Sequence, residues 1–336
     1  MATAPLNRHR YTLTWQMNSN PEYIFSKEIL CLLKGFKSYL EELGNDHSTI
    51  RQKSNYAGYF LKWLEGERLL PEETRYNDML NFIDHCRLEG QSKRHINSKL
   101  RSIRNYYDYR RKHDQYIINP ALNLHMKGIR QKLPPGVRGY QELEDLYSTY
   151  KSDTLRDKRN RIILGLFVYQ GITTGELQRL EPSHLKLKQG KVYIPGTRRT
   201  GSRSLDLKPS QILELHQYLT EIRPQILTGI SDPRPARRPD TIDRARLEDR
   251  LFISLNGSEN IKNSLLHMFR SIRKDHPGIL SPKQIRASVI THWLKNYNLR
   301  QVQYMSGHKY VSSTERYQLN NLDNLQSKLE KYHPLG

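Results

Sequence analysis

The sequence has few cysteines, few acidic residues and no long apolar run. Cys31 and Cys86 are its only cysteines, too few for a disulfide framework or a cysteine-rich zinc site. A reducing compartment, the cytoplasm, is therefore expected. The longest apolar stretch, Ile162 to Tyr169 with Gly165 inside it, is far short of the roughly 20 residues that a membrane span needs. The opening MATAPLNRHRYTLTWQ holds no apolar segment resembling a secretory signal. Against 34 Asp and Glu stand 55 Lys and Arg, a formal net charge of +21. The composition argues against a membrane protein and against a secreted disulfide scaffold.

What is present is a large positive field, with a pI of about 9.8. Such a field points to a polyanionic partner, nucleic acid before an anionic membrane surface. The plain alternative is a solvated basic surface that only aids solubility. A length of 336 residues suits two domains, at about 150 residues each.

Apolar residues recur at helical spacing from Ser26 to Glu65, in two runs separated by Gly44-Asn45-Asp46-His47-Ser48. The glycine reads as a helix stop and Ser48 as the next cap. A third helix is predicted over about Asn77 to Leu88, and a fourth from near Ser92 toward Tyr109. The fourth pairs an apolar stripe (Ile96, Leu100, Ile103, Tyr106, Tyr107) with a cationic face. Lys93, Arg94, Lys99, Arg101, Arg104, Arg110, Arg111 and Lys112 are assigned to that face, as candidate contacts to a phosphate backbone. Asn119-Pro120 is read as closing this helical domain, and the Pro-, Gly- and cation-rich stretch from Lys127 to Gly139 as a linker.

A second domain begins at about Tyr140. Leu185 to Leu207 alternates short β-prone runs with Gly-containing turns and reads as a small antiparallel sheet. Helices resume at Pro209, Ile261 and Pro282. Asp232 to Arg250 reads as an extended basic loop, either disordered or in contact with DNA.

The chemistry gathers near the carboxy terminus. Ser281-Pro282-Lys283-Gln284-Ile285-Arg286 opens a helix, Gly307-His308 follows a second one, and Tyr317 lies nine positions after His308. A tyrosine hydroxyl, with a pKa near 10, is a poor nucleophile at neutral pH. Cationic donors around a phosphodiester make it effective by stabilising charge on the phosphoryl oxygens in the transition state. That scheme needs no metal and no cofactor, and none is expected.

These segments resemble the tyrosine recombinases, or phage-type integrases, including the Xer-like proteins. Pro282 to Arg286 resembles the box in which His or Lys precedes Arg by three. Leu299 to His308 resembles the helix ending in Leu-Gly-His, and Ser313-Thr314-Glu315-Arg316-Tyr317 the segment bearing the nucleophile. The resemblance implies a mainly α chain with a small antiparallel β-sheet in the catalytic domain, its two domains forming a C-shaped clamp on DNA. It implies an arm over 1–24, a core-type (SAM-like) helical DNA-binding domain over 25–125 and a linker over 126–139. The catalytic domain with its tail would span 140–336.

The resemblance also implies roles. Tyr317 would attack the scissile phosphate and form a 3′-phosphotyrosyl bond, Arg286 would grip a non-bridging oxygen, and His308 would hydrogen-bond the same phosphate. Lys283 would donate a hydrogen bond or a proton. Leu322, Leu325 and Leu329, after a cap at Asn321, would form a helix exchanged between subunits of a tetramer or folded back on its own domain. The implied function is conservative site-specific recombination of double-stranded DNA, by a mobile element or a Xer-like system.

Two positions depart from the family pattern. Gly171-Ile172-Thr173-Thr174-Gly175-Glu176-Leu177 puts Thr173 where the family's first Arg is usual. The sheet lysine's place falls on Thr197, just before Arg198 and Arg199. Arg198 is the candidate replacement for that lysine, and Arg199 and Arg203 are candidate DNA contacts. These departures keep a catalytically silent DNA-binding accessory protein open as the alternative. A type IB topoisomerase shares the chemistry but needs neither the first helical domain nor an exchanged tail.

Overall fold

A computed structural model describes residues 25–113, 117–128, 136–197, 200–231, 244–257 and 260–318. The chain divides into two compact units, Met1–Gln131 and Lys132–Gly336. The expected arm over 1–24 and the tail with Asn321, Leu322, Leu325 and Leu329 lie outside the described residues, as do Arg198 and Arg199.

The first unit holds four helices: α1 (Lys27–Glu42), α2 (His47–Glu67), α3 (Tyr76–Leu88) and α4 (Lys93–His113). In α1, Ile29, Leu33, Phe36 and Leu40 form one buried stripe, and Ser26 Oγ caps its start by accepting from the Ile29 N–H at 3.3 Å. The cap of α2 is Asp46 and not Ser48. The Asp46 carboxylate accepts from the Thr49 N–H at 2.8 Å, and the Ser48 hydroxyl, inside the helix, donates to the same oxygen at 2.7 Å.

Asn119-Pro120 does not close this domain. Ile117, Ala121 and Leu124 are buried in the same core. Arg104 holds the returning chain, donating to the Ala121 carbonyl at 3.1 Å and the Leu124 carbonyl at 2.7 Å.

In the second unit, α5 (Tyr140–Ser148) precedes α6 (Leu155–Gln170), which is buried almost all round from Ile162 to Val168. An apolar surface on every side makes a helix a central core element, and this accounts for the longest apolar run of the sequence. A short α7 (Thr174–Leu177) leads to three antiparallel strands, β1 (Leu185–Lys186), β2 (Lys191–Ile194) and β3 (Arg203–Asp206), in the order β1-β2-β3. The register pairs Val192 with Leu205 and Ile194 with Arg203.

Helices α8 (Pro209–Gln217), α9 (Arg223–Ser231), α10 (Arg244–Asp249), α11 (Lys262–Asp275), α12 (Pro282–Asn296) and α13 (Leu299–Ser306) follow. Part of the expected basic loop is thus helical: α10 buries Leu247, and Arg223 Nε bonds the Arg250 carbonyl at 3.2 Å. Residues 232–243 lie outside the described residues. Helix α12 is tied to the chain ahead of α5, with Gln284 Nε2 donating to Gly136 O at 2.6 Å, and the same nitrogen donates to Gly278 O just before α12 at 2.9 Å.

Candidate active site

Arg286 lies in the second turn of α12, a helix started by the Ser281 hydroxyl, which accepts from the Gln284 N–H at 3.3 Å. Its guanidinium is buried and reaches the ends of two other helices. One nitrogen donates to the carbonyl of Gly171, the left-handed C-cap of α6, and another to the Ser306 carbonyl at the end of α13, at 2.6 Å. Burial pushes its pKa below the usual arginine value, while the Glu176 carboxylate opposes that shift. Arg286 Nη1 lies 3.9 Å from Glu176.

Glu176 is fully buried and belongs to a capping box. Thr173 Oγ1 accepts from the Glu176 N–H at 3.1 Å, and the Thr173 N–H donates to Glu176 Oε2 at 2.8 Å. Thr173, where the family pattern has an arginine, is therefore the cap of α7. The cation that meets Glu176 comes from β3: Arg203 Nη1 bonds Oε1 at 2.6 Å and Nη2 bonds Oε2 at 3.3 Å. Burial works to raise the Glu176 pKa, but the Arg203 bonds and charge outweigh it and hold the carboxyl down to about 2.

His308 follows Gly307, the left-handed C-cap of α13 at φ +67°. Its Nδ1 lies 2.9 Å from the buried Thr314 hydroxyl. Burial first, then the nearby charges of Arg286, Arg203 and Arg316, push its pKa down to about 4, so the ring is neutral at physiological pH. Where Thr314 is the donor, Nε2 keeps the ring proton and remains the donor for an anion.

Tyr317 is half-buried on the helical stretch 312–318. Its ring runs nearly parallel to that of His308, at 15° with centroids 5.8 Å apart. Thr200 and Gly201 are pinned beside His308, since the Gly201 N–H donates to Gly307 O at 2.9 Å and Thr200 bridges to His308.

Arg286, His308 and Tyr317 are thus brought together, and Glu176 and Arg203 join them. Lys283 is exposed one turn before Arg286 on α12. Among the described residues no group of three His, Cys, Asp or Glu side chains could hold a metal ion.

Several expected DNA contacts are placed elsewhere. Arg203 is buried, because it shares the inward side of β3 with Leu205, two residues on. That period-two pattern was the signal for its direction. Glu176 was also legible, as the acid three residues after Thr173 in a capping box.

On α4, Lys93, Arg94 and Arg101 are exposed, but Lys99 is 3% exposed and lies in the apolar stripe three residues after Ile96. Its ammonium sits 3.1 Å above the Tyr59 ring centroid. Arg104 is half-buried and spent on the two carbonyls described above. Neither Lys99 nor Arg104 belongs to the exposed cationic face.

The sequence pattern of the phage integrase family matches residues 140–323, more than half of the chain. The chain belongs to the phage integrase family, that of the tyrosine recombinases. This member is 26% identical over 299 residues to the tyrosine recombinase XerD of Listeria innocua serovar 6a, a match covering 87% of this chain and 95% of that relative. It is 24% identical over 287 residues to XerC of Staphylococcus epidermidis, covering 80% and 88%.

Among solved structures, XerH bound to its difH substrate has a TM-score of 0.62 at 19% identity, covering 86% of this chain and 84% of that one. The Tn1549 transposon integrase in complex with a circular intermediate DNA has a TM-score of 0.61 at 16% identity, covering 85% and 94%. At these identities the solved structures show the shared fold of this phage integrase. They agree with its mainly helical chain and small antiparallel sheet.

Proposed function

We propose that this phage integrase is a site-specific DNA recombinase that cuts and rejoins strands through a covalent bond to Tyr317. The observation carrying this reading is the convergence of a buried, cationic Arg286 with the near-parallel His308 and Tyr317 rings. The tyrosine oxygen attacks the scissile phosphorus and gives up its hydroxyl proton to water, the bond to the 5′-oxygen breaks, and a 3′-phosphotyrosyl ester remains. Arg286 binds a non-bridging oxygen and His308 donates to the same phosphoryl group, where negative charge grows in the transition state. The departing 5′-oxygen takes a proton from Lys283, and Arg198 serves as a further clamp on the phosphate, since a guanidinium barely deprotonates. One ester replaces another of similar energy, so rejoining needs no ATP.

The exposed cations Lys93, Arg94 and Arg101 on α4 serve the DNA backbone, as does Arg199. Double-stranded DNA is the partner, and two paired sites are held by a tetramer linked through the tail with Leu322, Leu325 and Leu329. A mobile element is the setting.

The test is capture of the covalent adduct. The protein is incubated with nicked duplexes drawn from its own genome, denatured, and the attached DNA is sequenced to read the site. Wild-type protein forms adducts at one sequence, and Tyr317→Phe forms none. Specific binding without any adduct would leave the silent accessory protein, which Thr173 favours by taking away a cation. Relaxation of supercoiled DNA without a site requirement would mark a topoisomerase.

A further inference from the structure

Arg203 is, with Arg159, one of two arginines in the second unit buried to 2% exposure or less, and the proposed chemistry uses neither. Its side chain is 0% exposed, and its donors are committed. Nε bonds the Met305 carbonyl at 2.7 Å, while the two terminal nitrogens bond the two Glu176 oxygens. It therefore cannot itself grip a substrate phosphate.

The loop that carries His308 is shaped around it. A Cβ on Gly307 would lie 2.5 Å from Arg203 Nη1 and 3.1 Å from the Gly201 carbonyl, so a side chain there would collide with the guanidinium and the adjoining backbone. Glu176 stands between two cations, bonded to Arg203 and 3.9 Å from Arg286. Within this group of three, Glu176 and Arg203 cancel, and the positive charge of Arg286 is left over. Without Arg203, the Glu176 carboxylate would have Arg286 as its only close cationic partner among the described residues, and the charge of the group would fall to zero.

We propose that Arg203 is a positioning residue for the phosphate site: it neutralises Glu176 and braces the Gly307–His308 turn, so that the Arg286 charge faces the phosphate. It supplies from β3 a cation to a box in which Thr173 supplies none. The inference rests on the recombinase reading of Arg286 and Tyr317.

The test uses the site duplex recovered by adduct capture, with the scissile group either an ordinary phosphate or a methylphosphonate. A methyl group in place of a charged oxygen takes one negative charge from the transition state, so the methylphosphonate needs less positive charge around it. The readout is the ratio of cleavage rates on phosphate and methylphosphonate. For R203M this ratio should fall by about tenfold or more relative to wild type, the worth of roughly one charge-assisted contact. For E176Q/R203M, which removes both cancelling charges, the ratio returns to within about threefold of wild type. For E176Q alone, which leaves two positive charges, it rises.

A merely structural Arg203 would slow both substrates alike and leave the ratio unchanged in all three variants, and that result would overturn the proposal. Should R203M not fold, E176Q against E176Q/R203M reads the same charge. If wild-type protein forms no adduct, the recombinase reading itself fails. If wild-type protein cleaves and the ratios stay level, only the role of Arg203 fails.

Discussion

Lys99 in the first unit and Arg203 in the second are both long cations buried to 3% and 2% exposure, yet their surroundings differ. Lys99 lies over the Tyr59 ring with the Cys86 sulfur 3.9 Å away and, among the described residues, no carboxylate bonded to it. Burial lowers its pKa to about 8, and burial likewise raises that of Cys86 to about 11. Arg203 instead meets a carboxylate with two parallel bonds, and that carboxylate stays ionised.

A buried lysine with no carboxylate bonded to it holds its proton less tightly, whereas a buried arginine, which keeps its proton, needs a counter-charge. The first arrangement fills space in a helical core. The second fixes charge beside Arg286 and His308, where the chemistry needs it.

The largest test of that contrast is Arg203→Ala. Breaking a buried pair and leaving Glu176 alone should cost about 3–5 kcal/mol, measured as the loss of unfolding free energy in urea. A loss below about 1 kcal/mol would mean that the pair is not buried in solution. Thr173→Ala comes next. It removes the α7 cap but leaves the Arg203–Glu176 pair, and should cost about 1 kcal/mol in the same assay.

The smallest effect belongs to Lys99→Met, expected to change stability by less than about 1 kcal/mol near neutral pH, because a methionine fills the same apolar space. Its pH dependence is more telling. Lys99 titrates at about 8 in the folded protein against 10.5 for an ordinary lysine, so the unfolded chain holds the proton more tightly. The Lys99 contribution to folding stability should therefore rise between about pH 8 and pH 10.5, opposed above about pH 9 by the raised Cys86 thiol, and it is read as the difference in slope between wild type and Lys99→Met. The Glu176 contribution has the opposite window, being fully present above 4.5 and lost as the pH falls toward 2. Matching slopes in wild type and Lys99→Met at alkaline pH would place the ammonium in water.

Much of the fold was legible in the sequence because it is written in local periods. The apolar stripes of α1 to α4, the sheet between Leu185 and Leu207 and the helix from Pro282 follow from spacing and punctuation. The Pro282–Tyr317 motifs led to the family that the comparison shows. Less legible was the use of single cations. Lys99 counts as basic in any composition, but its register three residues after Ile96 turns it inward. Arg104 was assigned to a DNA face, and the return of the chain through Ala121 and Leu124 claimed it.

The sequence by itself determined the excess of positive charge, the helical character, and a Tyr, His and Arg at the spacings of one family. Only the tertiary structure decided which cations face outward and which face a carboxylate. It brought Arg203 from a strand to Glu176 on a helix 27 residues away in sequence. Local periodicity encodes which side of an element is buried. The partner met on that buried side is set by contacts between distant elements, and those form only when the core closes.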